Sequence, residues 1–172
     1  MTNCFMKRLL YLFFCMLIAS SCIKDDPKGA DLKVGDSLPD FEVVMNDGTV
    51  VSDDSLSDAV SVVMFFHTSC PDCRQALPHM QRIYDSYASK GILFALISRE
   101  DKRVDVDAYW REHGLEMPYS AQKDRRVYEK FASSRIPRIY INDRNGTIRY
   151  IFTDDPVPSY DDLDSSIRSL IR

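Results

Sequence analysis

The sequence predicts an α/β domain, a central mixed β-sheet flanked by helices with a β-hairpin added at its N-terminal side. Three observations carry this. Val62-Val63-Met64-Phe65-Phe66 is an unbroken apolar, β-branched and aromatic run of strand length, as for a strand covered on both faces. Strand-like and helix-like stretches then alternate, and the alternation ends in a hairpin. The chain has 172 residues, enough for one well-cored domain of about 100–150 residues and an appendage. No repeat or low-complexity tract interrupts it, and the net charge of −4 argues against a nucleic-acid partner, which would want a basic face.

The elements follow in order. Val34-Gly35-Asp36-Ser37-Leu38-Pro39-Asp40-Phe41 leads into Glu42-Val43-Val44-Met45, then Asn46-Asp47-Gly48, then Thr49-Val50-Val51. Asp-Gly between short apolar strands is a hairpin signal. A helical turn around Ser55 to Asp58 precedes the central strand. From Cys73 to about Ser89, Leu77, Met80, Ile83, Tyr84 and Tyr87 recur at three- and four-residue steps, an amphipathic helix that Pro78 should kink. Gly91 opens a second buried strand, Ile92 to Ile97. The charge run Arg99 to Arg103 reads as a solvated loop. Val104 to His113 forms a helix closed by Gly114, with Tyr109 and Trp110 in the core. Met117-Pro118-Tyr119 is a short extended piece. A helix is expected over Arg125 to Ala132, with Val127, Tyr128 and Phe131 on one face. Arg138 to Ile141 and Thr147 to Phe152 form a hairpin around Asp143 to Gly146, and Tyr160 to Leu170 is the closing helix.

The N-terminus reads as a separate unit. Lys7-Arg8, the apolar run Leu9 to Ile18 and the small residues Ala19-Ser20-Ser21 describe a secretory signal peptide over residues 1–21. The run is short of the roughly 20 residues a membrane span needs. Cys22 directly after Ala-Ser-Ser resembles a bacterial lipoprotein lipobox, which implies lipidation at Cys22. Residues 22–33, polar with Pro and Gly, read as the lipidated cysteine and a flexible tether, and residues 34–172 as the domain. Without Lys7 and Arg8 the charge becomes −6, so a lipid anchor rather than surface charge would hold the protein to a membrane. These features place it in a bacterial cell envelope, the domain facing periplasm or cell exterior.

Five cysteines are present, and Cys4 and Cys15 leave with the signal. With Cys22 lipidated, only Cys70 and Cys73 remain as thiols, a pair for chemistry rather than stapling. Cys70-Pro71-Asp72-Cys73 stands where the central strand turns into a helix. Unpaired N–H groups and the positive helix end stabilise a thiolate there, and a second thiol three residues on can close a disulfide. The implied chemistry is thiol–disulfide exchange, Cys70 attacking and Cys73 resolving. The redox-active disulfide is then the only redox group called for, with no cofactor and no metal. Asp72 is a nearby carboxylate whose charge opposes thiolate formation at Cys70. His67 reads as an exposed bystander or a proton relay, and His79 as a surface residue.

With these pieces placed, the domain resembles the thioredoxin superfamily, in its TlpA/ResA-like branch of membrane-tethered thiol–disulfide oxidoreductases, with an AhpC/TSA-like N-terminal half. The resemblance spans roughly Val34 to Phe152. It rests on Val-Gly-Asp-x-Leu-Pro-Asp-Phe, on Cys-Pro-Asp-Cys with Pro78 five residues after its second cysteine, on Tyr109 to Gly114, and on Arg135-Ile136-Pro137 before a strand. It implies a cis Pro137 beside the disulfide, and an Ile136 backbone that pairs with extended substrate. It differs in three places. Met64 lies where classical thioredoxins carry a buried Asp, Ala76 where several ResA-like proteins carry Glu, and Ser69 where Trp is usual.

The implied partners are disulfides or thiols of exported proteins and a membrane electron donor, since exported compartments are oxidising. Two other classes compete. A peroxiredoxin-like peroxidase wants Thr three residues before its nucleophile, where this chain has His67 and Thr68 is offset by one. A metal-binding or adaptor module would use His67, Cys70 and Cys73 as ligands, without a second Cys-x-x-Cys to close a site. Arg135 and Arg138 flank Pro137 and read as a solvated rim or a preference for acidic substrates.

Overall fold

The computed structural model describes residues 31–172, so the expected signal peptide, Cys22 and most of the tether lie outside the described residues. The sheet is built on the predicted apolar run. Strand β3 (Ser61–Phe66) is buried at all six positions and occupies the centre of a five-stranded sheet. Its neighbours are β4 (Leu93–Ser98), which runs parallel to it, and β6 (Arg138–Asn142), which runs antiparallel. Outside these lie β5 (Tyr119–Ser120) and β7 (Ile148–Phe152), giving the order β5-β4-β3-β6-β7. A separate antiparallel hairpin pairs β1 (Glu42–Val44) with β2 (Val50–Ser52) around Asn46-Asp47-Gly48, where Gly48 takes the positive φ of 89° that the turn requires.

Among the described residues, three α-helices flank the sheet: α1 (Pro71–Tyr87), α2 (Arg103–His113) and α3 (Tyr160–Leu170). Helix α1 runs through Pro78 as a single helix and continues as a 3₁₀ turn over Ala88–Lys90. It packs on α3, where Tyr87 donates to Asp164 and the Arg82 guanidinium lies 4.1 Å from the centre of the Tyr160 ring. Successive side chains of a strand leave opposite faces, so Phe65 and Phe66 serve different layers. Phe66 meets Trp110 of α2 at 5.0 Å between ring centres. Phe65 meets Phe131 at 4.8 Å, Tyr128 at 5.4 Å and Tyr140 at 6.5 Å.

Tyr128 and Phe131 stand in place of a predicted helix. The expected helix over Arg125 to Ala132 is only a 3₁₀ turn, Tyr128–Lys130. Local bonds compete with it: the Asp124 carboxylate accepts the Arg126 N–H, and the Ser133 N–H goes to Asp31. In a 3₁₀ turn, residues three apart eclipse, so both aromatic rings still reach Phe65.

The N-terminal segment closes both edges of the sheet, a protection against edge pairing with other chains. Gly35 to Leu38 bonds along β7, with Gly35 donating to Ile148 at 2.9 Å and Ile148 donating to Asp36 at 2.9 Å. The β1–β2 hairpin covers β5: Asn46 N–H donates to the Tyr119 carbonyl at 2.7 Å and Ser120 Oγ to the Val44 carbonyl at 2.7 Å.

The expected tether boundary at Lys33 moves back. Leu32 N–H donates to the Phe131 carbonyl at 3.0 Å, and Asp31 binds Ser133 through its backbone N–H and its hydroxyl. Asp31 also pairs at 3.0 Å with Arg138, whose guanidinium is buried and further donates to Tyr140 Oη and the Ser134 carbonyl. The hydrogen bond from the Ser133 backbone is the main cause that holds the Asp31 carboxyl below its usual range. Asp31→Ala should cost about 2 kcal/mol in chemical denaturation, because it strands a buried cation. A depressed folded pKa gives stability present above the unfolded value of 3.8 and lost as pH falls below it, so the difference between wild type and Asp31→Ala should shrink in that acid range.

Candidate active site

Strand β3 ends at Phe66, and four residues later the chain enters α1. Cys70 is the N-cap, and the helix begins at Pro71, two residues earlier than the sequence suggests. Proline suits the first helical position because its missing N–H has no partner there in any case. Cys70 is half-buried and Cys73, one turn in, is fully buried; both are free thiols. The Cys73 backbone N–H donates to Cys70 Sγ at 3.4 Å, and Cys70 Sγ donates to the Ile136 carbonyl at 3.5 Å.

Ile136 reaches this position through the loop before β6. The Ile136–Pro137 bond is cis, as the resemblance implies, and both residues are buried. Arg135, ahead of them, adopts the left-handed conformation (φ 71°), and its carbonyl accepts the Tyr128 hydroxyl at 2.9 Å. Of the expected rim, only Arg135 is solvated: it is exposed and pairs with Asp154 at 3.4 Å and Asp155 at 3.8 Å, whereas Arg138 is buried against Asp31. An acidic-substrate preference therefore has no free guanidinium at these two positions to act through.

Around Cys73 the surroundings are apolar. Met64 and Ala76 are fully buried. Burial pushes the Cys73 thiol well up, the Cys70 thiol and the charges of Cys70 and Asp72 push the same way, and the His67 backbone N–H acts against them. Asp72 is half-buried, while Pro71 and Pro78 are exposed. Tyr109 of α2 is buried, stacks on His113 at 3.9 Å and carries the Arg74 guanidinium 5.7 Å from its ring centre. Burial is also the main cause that raises the Tyr109 phenol, which Arg74 opposes, so it stays protonated as a donor. A raised Cys73 value has a stability consequence. The contribution of a neutral buried thiol is complete below the unfolded value of 9.0 and lost as pH rises beyond it. The reduced protein should therefore lose stability above about pH 9 more steeply than Cys73→Ala, by urea titration at stepped pH.

Sequence reading missed how the strand-to-helix loop is held. The charge run Arg99 to Arg103 is not wholly solvated, for Asp101 is only 5% exposed and accepts both the Thr68 backbone N–H at 2.9 Å and the Thr68 hydroxyl at 3.2 Å. His67 is no exposed bystander. Its Nε2 lies 3.2 Å from Asp101 and its Nδ1 accepts from Ser69. The available signal was topological: β3 and β4 are parallel, so the loops after them leave the same end of the sheet. His79 is half-buried, with Nδ1 lacking a partner, rather than a surface residue. Among the described residues no three His, Cys, Asp or Glu side chains converge as a metal site, and both ring nitrogens of His67 are engaged within the protein.

Comparison with known proteins gives the family and the fold. The AhpC/TSA family model matches residues 34–151. The chain is 29% identical over 135 residues to the thiol-disulfide oxidoreductase ResA of Oceanobacillus iheyensis, covering 76% of this chain and 69% of that protein. It is 21% identical over 151 residues to ResA of Bacillus thuringiensis, covering 83% and 86%. Among solved structures, a thioredoxin-family thiol:disulfide interchange protein from Chlorobium tepidum superposes with a TM-score of 0.69 at 25% identity, over 83% of this chain and all of that one. A putative protein disulfide isomerase from Bacteroides thetaiotaomicron superposes with a TM-score of 0.76 at 22% identity, over 83% and 92%.

Proposed function

The chain belongs to the AhpC/TSA family and has the thioredoxin fold, and from that premise we propose that it is a thiol–disulfide oxidoreductase whose redox centre is Cys70-Pro71-Asp72-Cys73 and which reduces disulfides in exported proteins. One observation carries the assignment of residues. The sulfur of the half-buried Cys70 caps a helix within 3.4 Å of the Cys73 N–H and 3.5 Å of the Ile136 carbonyl, with the second thiol buried one turn behind.

The reaction balances as two exchanges. The Cys70 thiolate attacks one sulfur of the client disulfide; a Cys70–client bond forms, the client S–S bond breaks and the second client sulfur leaves as thiolate. Cys73, giving its proton to water, then attacks Cys70 Sγ. The mixed disulfide breaks, the client leaves with both sulfurs reduced, and Cys70–Cys73 holds the two electrons' worth of oxidation. A dithiol donor at the membrane returns the centre to its reduced state. Ile136 and Pro137 shape the groove, since a main-chain carbonyl beside the nucleophile suits an extended client strand.

The envelope location, with the domain facing periplasm or cell exterior, is supported by the signal-like residues 1–21, and attachment through lipid on Cys22 by the small residues before it. A peroxidase reading finds no comparable support, because the Thr68 hydroxyl is bonded to Asp101 and His67 is bonded to Ser69 and Asp101. Insulin reduction by the pre-reduced protein tests the proposal: turnover of insulin disulfides with Cys70–Cys73 oxidised in equal amount supports it, and peroxide consumption without insulin reduction overturns it.

A further inference from the structure

Thiol exchange needs a nucleophile, a resolving thiol and a groove, yet the loop ahead of Cys70 contains more than that. His67 Nδ1 faces the Ser69 backbone N–H at 3.1 Å and lies 2.9 Å from Ser69 Oγ. A backbone N–H only donates, so Nδ1 carries the lone pair and the ring proton sits on Nε2, 3.2 Å from Asp101 Oδ1. Asp101 is buried and acceptor-only when ionised, and it also takes the N–H and hydroxyl of Thr68. Two more bonds complete the loop: Cys70 N–H donates to the His67 carbonyl at 3.0 Å, and Arg74 Nε donates to the Thr68 carbonyl at 2.7 Å.

We propose that His67 and Asp101 are a positioning pair for Cys70. Asp101 fixes the Nε2–H tautomer of His67, and the free Nδ1 ties down Ser69, the residue that leads into the nucleophile. The inference rests on exchange at Cys70 and deepens it. It also removes His67 as the base for Cys73, because the Nδ1 lone pair is spent on Ser69. The side chain from residue i to the N–H of i+2 mimics the Asx turn, in which Asn performs the same bond. The pair thus joins the loop after β4 to the loop after β3 and fixes the residues that lead into Cys70, whose sulfur faces the Cys73 N–H and the Ile136 carbonyl.

Three substitutions separate the halves of the pair. His67→Asn offers an amide oxygen to Ser69 N–H and gives up Asp101. His67→Gln sends an amide N–H toward Asp101 and leaves Ser69 without its acceptor. Asp101→Asn turns an amide N–H toward the imidazole, which favours the Nδ1–H tautomer and breaks the Ser69 bond from the other side. The readouts, taken on the full chain, are the rate of Cys70 alkylation by iodoacetamide, melting temperature, and the imidazole ¹⁵N shifts of His67. His67→Gln and Asp101→Asn should slow Cys70 by about three- to tenfold, the range of one net hydrogen bond, while His67→Asn recovers most of the rate. Wild type should show the Nε2–H tautomer and Asp101→Asn the Nδ1–H tautomer. Equal losses in His67→Asn and His67→Gln that follow melting temperature would reduce the pair to a structural role and overturn the proposal, as would an Nδ1–H tautomer in wild type. Alkylation and ¹⁵N shifts are read on Cys70 and His67 themselves, so they decide the matter even where wild type reduces no insulin, a result that sinks the exchange reading alone.

Discussion

Cys70→Ser should abolish insulin reduction, lowering the rate by about three orders of magnitude or more, while the fold stays intact by circular dichroism. Nothing nearby can replace it: Cys73 is fully buried, its thiol held protonated by that burial, and a serine hydroxyl is no nucleophile toward sulfur without a strong base. Cys73→Ser should fail differently. Cys70 still attacks, but no thiol one helical turn away resolves the mixed disulfide, and the advantage of an intramolecular reactant is lost. The covalent Cys70–client adduct should accumulate on a non-reducing gel and carry the client's mass. Catalytic turnover by Cys73→Ser, or no adduct, would contradict the assigned roles.

Phe65→Ala should be the most damaging core substitution, at about 3–5 kcal/mol in urea unfolding. Phe65 is fully buried at the centre of the sheet, and its ring meets Tyr128, Phe131 and Tyr140 edge-on. Removing it leaves a cavity among three rings that themselves cannot collapse inward, since Tyr128 is bonded to the Arg135 carbonyl and Tyr140 to the Phe131 carbonyl. For a domain of ordinary stability, 5–15 kcal/mol, that is a large share of the total. Val104→Ala, at an exposed site on α2, should stay within about 0.5 kcal/mol. A cost below about 1 kcal/mol for Phe65→Ala would mean that this aromatic layer does not hold the sheet to the Pro137 loop.

The two features differ in how far the sequence foretells them. β3 and β4 are legible because a strand buried on both faces must be apolar throughout, and α1 because its core face repeats at helical steps. Cys70 and Cys73 are legible from their spacing at a strand-to-helix junction. The segment from Arg125 to Ala132 is not, because Tyr128 and Phe131 at a spacing of three satisfy an α-helix and a 3₁₀ turn alike, and the deciding bonds come from Asp124 and from Asp31, about a hundred residues away. Asp101 and Arg138 mislead for the opposite reason. A charged residue reads as solvated unless its partner is known, and their partners, Thr68 with His67 and Asp31, come from distant stretches of the chain.

The reduction potential of the Cys70–Cys73 pair, by thiol alkylation of the purified protein in graded redox buffers, tests the central claim most directly. A reversible two-electron couple within the chain at about −270 mV, near thioredoxin's, is the expected result for a reductase supplied by a donor. A couple near about −120 mV would make the protein an oxidant and reverse the assigned direction, and the absence of any reversible Cys70–Cys73 disulfide would contradict exchange at this site altogether.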